Sequence, residues 1–499
     1  MPDATQPLFR FDNTYVNELE GFFARFDPPG FPSPRLVLLN EALAVELGLD
    51  VATLREQAGE LLSATRIPEG ANPVAQAYAG HQFGNLSPQL GDGRALLLGE
   101  LLDRHGKRRD LHLKGSGRTP FSRGGDGFAT LGPVLREYVM GEAMHHLGIP
   151  TTRALAAVTT GAQVRRDGLL PGAVLARVAQ SHIRVGTFQF FAIRDDHEKV
   201  RQLVSYTLAR HFPEQLGADN QAVALLREAI RVQANLIAQW MLVGFIHGVM
   251  NTDNMTLSGE TIDYGPCAFM DTYHPGTVFS SIDRNGRYAY GNQPGIGQWN
   301  LARLAEALLP LLDGDEKRAI EIAQEELAAY PVLYMTRWLD GMRSKLGLTT
   351  QLVDGPASDE EDGTLVEQFL GLLEVQKLDF TSAFRGLSRV ARGEREASAR
   401  FGDAAAFDAW SQGWLARLAR QNEALDDVAE RMDLVNPVYI PRNHKVEEAL
   451  NAAVAGDLAP FMTLLEVLAR PFEERAGFEA YAEPAPPVFE ETFQTFCGT

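Results

Sequence analysis

One short stretch of the sequence concentrates side chains that can bind a metal ion and accept a proton. It reads HGVMNTDN from His247 to Asn254, and an Asp-Tyr-Gly tripeptide follows at Asp263. The amide oxygen of Asn254 and the carboxylate of Asp263 are hard donors that suit Mg²⁺ or Mn²⁺. Asp253 can accept a proton from a hydroxyl group. The stretch therefore predicts metal-assisted transfer chemistry.

This spacing is typical of phosphotransferases that have a protein-kinase fold. Their loops read His-x-Asp-x-x-x-x-Asn, followed by a hairpin and Asp-Phe-Gly, and His247, Asn254 and Asp263 fit that pattern. The position of the kinase base holds Val249, which cannot accept a proton. If Asp253 takes that role, it approaches from a different angle. A nucleotide bound in reverse would then present its α-phosphorus, and an attacking hydroxyl would take AMP and release pyrophosphate.

Two further pairs of charged residues could hold phosphates. Lys114 ends a strand-like run and Glu137 lies on the next predicted helix, as in a kinase nucleotide site. Arg177 and Arg184 bracket the link between the strand-rich and helical parts, where guanidinium groups suit bidentate phosphate contacts. Taken alone, each pair is better explained by surface charges or structural ion pairs, and only the loops at 247–265 raise the functional interpretation.

Three glycine-rich stretches could let backbone N–H groups approach an anion closely. They are Gly91-Asp92-Gly93-Arg94, Gly115-Ser116-Gly117-Arg118 and Gly124-Gly125-Asp126-Gly127. None is a Walker A sequence, because no Gly-Lys-Ser/Thr ends it. Taken singly, each stretch is better explained as a flexible turn.

The elements that must position these residues indicate an α+β protein with a two-lobed, protein-kinase-like fold. Strands are expected at Ala95–Leu102 and Asp110–Lys114, helices at Gly132–His146 and Gln221–Gly244, and a hairpin at 255–262. The acidic run 359–362 is expected to be a solvated loop, and the tail from Pro484 is expected to be extended.

The order of these elements predicts four units. They are an N-terminal extension (1–75), a strand-rich nucleotide-binding lobe (76–184), a helical lobe with the catalytic and metal loops (185–400), and a C-terminal helical region with a tail (401–499).

Composition excludes several classes of protein. The 499 residues include 46 Lys and Arg against 65 Asp and Glu, a net charge of −19, which gives no electrostatic reason to bind nucleic acid or anionic membranes. The most apolar window, 236–250, is shorter than the roughly 20 residues that span a bilayer, and the N-terminus lacks the pattern of a signal peptide. Two cysteines cannot form a disulfide framework. We expect a cytoplasmic protein, and its oligomeric state stays open.

The sequence resembles the selenoprotein O family, which comprises protein adenylyltransferases with a pseudokinase fold. The resemblance rests on YAGHQFG, LGDGRA, LKGSGRTPFSRGGDG, REYVMGEAMHHLGIPTTRAL, HGVMNTDNM and IDYGPCAFMD, and on the near-terminal Cys497. These segments begin at residues 78, 90, 113, 136, 247 and 262, and together with Cys497 they occur in the expected order along most of the chain.

The resemblance implies transfer of AMP from ATP, bound in a flipped orientation relative to kinases, to hydroxyl side chains of protein substrates. Some bacterial members are credited with uridylyl transfer from UTP with Mn²⁺. The implied roles are Asp253 as proton acceptor, Asn254 and Asp263 as ligands of Mg²⁺ or Mn²⁺, and Glu137 as the partner of Lys114. The implied nucleotide-binding residues are Gly91, Gly93, Arg94, Lys114, Asp126, Gly127, Arg177, Arg184 and Asp263.

Cys497 stands where many eukaryotic members of this family carry selenocysteine, so the chain looks like a bacterial member. The resemblance implies that Cys497 can pair with Cys267, two residues after Gly265, in a redox-sensitive disulfide. Two unrelated thiols in a reducing cytosol are the alternative.

Three other functions stay open at this point. The first is an ordinary kinase that transfers the γ-phosphoryl group, the second a non-catalytic nucleotide-binding scaffold, and the third a small-molecule phosphotransferase.

Overall fold

The computed structural model describes residues 7–352, 355–356, 358–394, 401–402 and 404–496. Strands are concentrated before residue 180 and helices after it, so the expected combination of a strand-rich sheet and a helical region is confirmed. Within the described residues, every helix is too short or too polar to cross a membrane.

One antiparallel sheet dominates the first part of the chain. Its spatial order is β1-β3-β6-β7-β10-β9-β2, and β8 pairs with β10. Because β1 and β2 come from the predicted extension 1–75, that segment contributes to the sheet. The strands are β1 (Phe23–Arg25), β2 (Arg35–Leu39), β3 (Val74–Gln76), β4 (Gly80–Gln82), β5 (Asn85–Ser87), β6 (Ala95–Leu102), β7 (Arg108–Lys114), β8 (Ala129–Thr130), β9 (Arg153–Arg165), β10 (Leu169–Ala179), β11 (Phe245–Ile246), β12 (Ala268–Phe269), β13 (Gln351–Leu352) and β14 (Gly355–Pro356).

Alternation along β7 sorts its side chains onto two faces. Leu111 and Leu113 are fully buried in the apolar core on one face of the sheet, where helices from the first 62 residues cover them. Asp110, His112 and Lys114 therefore lie on the opposite face. This face turns towards the helical region and the larger apolar core.

The helices follow a similar division between a few that cover the sheet and many that form the later region. They are α1 (Thr14–Glu18), α2 (Glu41–Glu46), α3 (Val51–Leu61), α4 (Leu131–His146), α5 (Val185–Ala192), α6 (His197–His211), α7 (Gln221–Leu242), α8 (Gln293–Leu312), α9 (Glu316–Leu327), α10 (Ala329–Lys345), α11 (Asp359–Gln376), α12 (Phe380–Ala391), α13 (Ala404–Ala419), α14 (Leu425–Val435), α15 (Asn443–Val454), α16 (Ala459–Leu468), α17 (Glu479–Ala482) and α18 (Pro487–Thr492).

Helix α7 is the central support of the loop that carries Asp253. The Asn220 side chain caps its start by accepting hydrogen bonds from the N–H groups of Ala222 and Val223. Gly244, with φ +71°, turns the chain just after its end. Strand β11 and the 247–254 loop follow directly, so the core packing of α7 fixes where that loop begins.

The predicted hairpin at 255–262 is wrong. Its two arms bridge to other segments, Thr256 to Arg184 and Thr261 to Thr151. Thr256 also bonds both to the carbonyl and to the N–H of Glu260, which closes a compact loop. The turn chemistry indicated a reversal correctly, but long-range pairing replaced the hairpin ladder.

The acidic run 359–362 starts α11 and is not a solvated loop. The Ser358 side chain caps the helix, and acidic residues in a first turn are favoured by the helix dipole. Asp362 is fully buried, because Arg343 and Arg417 donate to its carboxylate at 2.7 and 2.8 Å.

The expectation of an extended tail is wrong for part of it. Pro487 begins α18, since a proline in the first turn of a helix loses no hydrogen bond that the helix would make. Thr495 then pairs with Ser280, and its hydroxyl donates to the carbonyl of Pro266 at 2.7 Å. We call the segment 266–283 the activation segment, and the tail is bound along it.

Candidate active site

The sheet brings three side chains of the site to one face. In the antiparallel pair of β7 and β10, His112 lies opposite Arg177, and Lys114 ends β7. Opposite residues and alternate residues share a face, so these three point to the same side. Lys114 and Arg177 line a cavity of 310 Å³, which we call the charged cavity, and His112 lies buried behind them. Its charged and amide-bearing lining comprises Gln82, Asp92, Arg94, Lys114, Arg177, Arg184, Asn251, Asp253, Asn254 and Asp263.

Glu137, on α4, holds two of these cations. Its carboxylate accepts from Lys114 Nζ at 2.6 Å and from Arg177 at 2.9 Å. The expected pair of Lys114 and Glu137 is therefore present in the structure, and Arg177 shares it. Hydrogen bonds between charged groups in a poorly hydrated site are strong and directional, so both cations are fixed at the cavity wall.

Asp263 is the meeting point of three cations. Lys114, Arg177 and Arg184 donate to its carboxylate at 2.8, 2.7 and 2.7 Å. Burial alone would raise the pKa of Asp263, but attraction to these cations lowers it well below its ordinary value. Its φ of +62° is uncommon for a residue other than glycine, and such strained conformations cluster at functional sites.

The 247–254 loop presents Asp253 and Asn254 from a short 3₁₀ turn, Thr252–Asn254. The Asn254 side-chain N–H donates to the carbonyl of Val249 at 3.0 Å, which leaves its amide oxygen available as a ligand. Arg184 donates to the backbone carbonyl of Asp253 at 2.7 Å and joins the loop to Asp263. The side chain of Val249 lines the cavity as an apolar patch.

The Asp253 carboxylate is only partly satisfied. Its Oδ2 accepts from Gln82 at 3.3 Å, whereas its Oδ1 is buried and has no hydrogen-bond partner among the described residues. Burial raises the pKa of Asp253 to about 6, with Arg184 opposing the rise. A buried, unpartnered carboxylate oxygen beside a cavity is suited to accept a proton from a bound hydroxyl.

The first glycine-rich stretch closes tightly over the cavity. A Cβ on Gly91 would come within 2.4 Å of the Phe121 ring, and Gly91 has φ +82°. A Cβ on Gly93 would meet the Phe121 carbonyl at 3.0 Å. Gly93 and Arg94 line the charged cavity, so this stretch lies where backbone groups can approach a phosphate.

Asp126 and Gly127 are not brought into the same cluster. Asp126 pairs with Arg166 at 2.8 Å, and neither residue is among the described residues that line the charged cavity. Gly127 is packed against the backbone of Gly117, where a Cβ would come within 2.2 Å. The chain continues to Ala129, which lines a second cavity.

This second cavity has a volume of 630 Å³, and it lies between α4, α15 and the tail. We call it the tail cavity. It meets the charged cavity at Arg94, Lys114 and Gly265, which line both. Its apolar lining comprises Ala129, Pro133, Val134, Leu175, Leu450, Val454, Phe489, Phe493 and Phe496. The charged cavity is thus joined to a larger one whose mixed walls carry three phenylalanine rings.

Two buried residues behind the cations were missed by the sequence analysis. His112 lies 3.2 Å from Asp92 through Nε2, and its Nδ1 accepts from Arg177 at 3.3 Å. Burial and the neighbouring Arg177 lower the pKa of His112 well below its ordinary value, so the ring is neutral. Burial also raises the pKa of Asp92 to about 6. The alternation of β7 placed His112 on the face of Lys114 and was the signal that could have found it.

Cys267 is fully buried in the activation segment, and its carbonyl accepts from Arg136 at 2.7 Å. Burial raises the pKa of its thiol to about 12, so the thiolate needed for exchange with a disulfide is scarce. Cys497 lies outside the described residues, although Thr495 contacts Pro266. The pairing of the two cysteines stays a prediction.

The arrangement is suited to bind the phosphates of a nucleotide. Lys114, Arg177 and Arg184 converge on one cavity with Asp263, beside the unpartnered carboxylate oxygen of Asp253. A family model described as "Protein adenylyltransferase SelO" matches residues 8–469, and the chain belongs to this family. It is therefore a nucleotidyltransferase that acts on proteins.

Relatives of similar length carry the same class of name. A "Protein nucleotidyltransferase YdiU" from Cereibacter sphaeroides is 59% identical over 492 residues, which are 98% of this chain and 100% of the relative. Proteins of the same name from a Mycobacterium species and from Rhizobium leguminosarum are 56% and 55% identical, covering 98% of this chain and 99% and 97% of their own.

Proposed function

We propose that this protein transfers AMP from ATP to Ser, Thr or Tyr hydroxyls of protein substrates and releases pyrophosphate. The observation that carries the proposal is the charge at the inner wall of the charged cavity. Arg177 and Arg184 are each 2% exposed there, beside the buried Asp92. An adenine ring would gain little from such a wall, whereas the terminal phosphates of a nucleotide would be well bound.

The tail cavity supports this reversed orientation. It offers aromatic and aliphatic side chains of the kind that bind a purine base, including Phe489 and Phe493. With the base there and the β- and γ-phosphates against Arg177 and Arg184, the α-phosphate falls between the two compartments. That position is close to Lys114, which lines both cavities.

The donor set of Asn254 and Asp263 fits a divalent cation such as Mg²⁺ or Mn²⁺. Both offer hard oxygen atoms to one cavity, and such ions take one or two protein ligands together with phosphate oxygens and water. When bound, the cation supplies positive charge that stabilises the reacting phosphate and the leaving pyrophosphate. Asp263 must then exchange part of its contacts with Lys114, Arg177 and Arg184, which become available to the phosphates.

Asp253 is the proton acceptor in this account. A substrate hydroxyl that approaches its Oδ1 can donate its hydrogen there, while its oxygen attacks the α-phosphorus. The new oxygen–phosphorus bond forms as the bond to pyrophosphate breaks, the proton remains on Asp253, and Arg177 and Arg184 hold the departing charge. The position of the kinase base holds Val249, which has no carboxylate.

We also propose that the sheet and the helical region form the two lobes of a protein-kinase-like fold. In this proposal 76–184 and 185–400 are the lobes, 1–75 is an N-terminal extension, and 401–499 is a C-terminal region. The contacts of Lys114 with Glu137 and Asp263 support the proposal, since they join the strand, the helix and the metal loop in the way that such a fold requires.

Labelled nucleotides test the proposed function. The purified protein is incubated with a bacterial lysate, Mg²⁺ or Mn²⁺, and ATP labelled on either the α- or the γ-phosphorus. We expect α-label on proteins and γ-label only in pyrophosphate. Protein-bound γ-label would establish a kinase instead, and label on small molecules alone would establish a small-molecule phosphotransferase. Nucleotide binding without any transfer would indicate a scaffold.

A parallel reaction with α-labelled UTP separates the two possible transferred groups. With equal concentrations of ATP and UTP and either metal, the proposal predicts that AMP is the main adduct. Predominant UMP on the proteins would replace adenylyl transfer by uridylyl transfer.

A further inference from the structure

An open groove of 520 Å³ lies next to the charged cavity at the surface. Phe83 lines both, so the groove leads directly into the site. Its other lining residues are Asn285, Arg287, Asn292, Gly295 and Ile296. No step of the proposed transfer uses this groove.

The groove is fixed to the 247–254 loop by the β4–β5 hairpin. Phe83, at its tip, donates its N–H to Asn251 Oδ1 at 3.1 Å, and the adjacent Gln82 donates to Asp253. Gly84 has φ +84°, and a Cβ on it would lie 3.6 Å from the Arg287 guanidinium carbon. The hairpin therefore contacts both Arg287 and Asp253, the proposed proton acceptor.

Two arginines in this region are held by one indole ring. The guanidinium carbons of Arg287 and Arg303 both lie 4.8 Å from the centroid of the Trp299 ring. The Nε atoms of both arginines are buried and have no hydrogen-bond partner in the described part of the chain. Contact with an aromatic face holds a guanidinium group in place without neutralising it. We call Arg287, Trp299 and Arg303 the arginine clamp.

Little negative charge balances the clamp. Arg303 pairs with Glu306 at 2.5 Å, but Arg287 has no ion pair within the described residues. Asp283 is buried and occupied by the backbone N–H groups of Arg287 and Tyr288. In a chain of net charge −19, this is a local positive site at the entrance to the cavity.

Exposed apolar side chains flank the same entrance. Ile282 is 51% exposed and lines the charged cavity, and Leu86 is 43% exposed on the strand opposite His81. A polypeptide that crossed here would meet apolar contacts beside the entrance and the Arg287 guanidinium group in the groove, with Arg303 on the same Trp299 ring.

We propose that the arginine clamp binds an acidic segment of the protein substrate next to the hydroxyl that receives AMP. The inference rests on the proposed function and names the substrate class of that site. Carboxylates suit guanidinium groups because each can accept two parallel N–H bonds. The chain's overall negative charge repels acidic proteins in general. Only an acidic segment that reaches the clamp is therefore attracted, which makes the clamp selective.

Two synthetic peptide pools test the inference. Each peptide has a central Ser, Thr or Tyr, with flanking Glu residues in one pool and flanking Lys residues in the other. The wild-type protein should transfer α-label with a kcat/KM about tenfold higher for the Glu pool. The double variant Arg287→Glu, Arg303→Glu should lose that preference through KM, with an unchanged affinity for ATP.

Arg318→Glu is the matched control. Arg318 also lies on a helix and pairs with a glutamate three residues later, but it is exposed on α9 and lines none of the cavities described above. This control should keep the wild-type preference. A salt titration of the wild type tests the same interaction without relying on the fold of the double variant. Raising NaCl to about 0.5 M should screen the charges and remove the preference for the Glu pool.

The possible results distinguish a failure of the arginine clamp from a failure of the proposed transferase function. Labelling of lysate proteins together with equal use of both pools, or a preference that survives in the double variant, overturns the clamp and leaves the transferase standing. A preference that is insensitive to salt also overturns it. If neither lysate proteins nor peptides take up α-label, the proposed function fails and the clamp fails with it.

Discussion

Two buried clusters of charge serve different purposes in this molecule. The cleft cluster comprises Lys114, Glu137, Arg177, Arg184 and Asp263 and lines the charged cavity. The junction cluster comprises Arg442, Asp271 and Asp379, at a point where the activation segment, α12 and the tail meet. Arg442 is 1% exposed, and none of the three lines either cavity of the site.

The clusters differ in what surrounds their charges. In the junction, Asp271 also accepts from the Ala485 N–H, Asp379 caps α12, and Arg442 donates to the Ala482 carbonyl. In the cleft, three cations share two carboxylates beside an open cavity. A closed cluster holds the fold together, whereas cations that share carboxylates at the wall of a cavity can exchange those contacts for an anionic ligand.

The largest expected effect comes from Asp263→Asn. Asparagine tolerates the left-handed φ of this position but removes the charge, so the fold should remain while the metal site fails. The rate of α-label transfer should fall by at least about a thousandfold with Mg²⁺ or Mn²⁺. A rate within tenfold of the wild type, at an unchanged melting temperature, would contradict the metal assignment.

Arg442→Met should instead damage the fold. It leaves Asp271 and Asp379 buried without their cation, which should lower the free energy of unfolding by about 3–5 kcal/mol. Urea denaturation measures this value. Arg470→Met is the control, because Arg470 is 57% exposed and should change stability by less than about 0.5 kcal/mol. Equal stability of the two variants would show that the junction is not structural.

Lys114→Met should weaken nucleotide binding more than it changes stability. Removing a cation that lines both cavities should raise the dissociation constant for ATP by about 10- to 100-fold. Lys107, exposed in the turn of the same strand pair, provides the control Lys107→Met. Titration with a fluorescent ATP analogue measures both, and matching affinities would place Lys114 outside the site.

His112 should have a smaller influence, exerted through Arg177. His112→Phe removes the acceptor for the Arg177 guanidinium and should raise the KM for ATP by about tenfold. His112→Asn keeps an acceptor near the Nδ1 position and should recover most of the loss. If both variants have the same KM and differ only in melting temperature, the role of His112 is structural alone.

Val249→Asp should have the least effect on which group is transferred. It restores the sequence pattern of a kinase loop, but the orientation of the nucleotide depends on Arg177, Arg184 and the tail cavity. Transfer of γ-label should therefore stay at background. Robust γ-phosphoryl transfer by this variant would mean that the missing carboxylate alone separates this site from a kinase.

The predictions from sequence succeeded where local pattern and structure agree. Strand β6 has the bounds expected from its apolar run, and α7 differs from the expected helix by two residues at its end. The pairing of Lys114 with Glu137 also followed from order along the chain. These features depend on hydrophobic periodicity and on motif spacing, both of which are local.

Features that depend on distant partners could not be found in this way. The burial of Asp362 requires Arg343 and Arg417 from other helices, and the 255–262 arms pair with residues 151 and 184. His112 and Asp92 joined the site only through the register of β7 with β10 and the fold of the 91–94 turn. Register between strands is a tertiary property that composition does not reveal.

A crystal structure with a non-hydrolysable ATP analogue and Mg²⁺ will show how the nucleotide is oriented. We expect the base in the tail cavity against Phe489 and Phe493, the terminal phosphates on Arg177 and Arg184, and the α-phosphorus facing Asp253. A structure with the base against Arg177 and Arg184 and the γ-phosphorus facing Asp253 would contradict the proposed orientation.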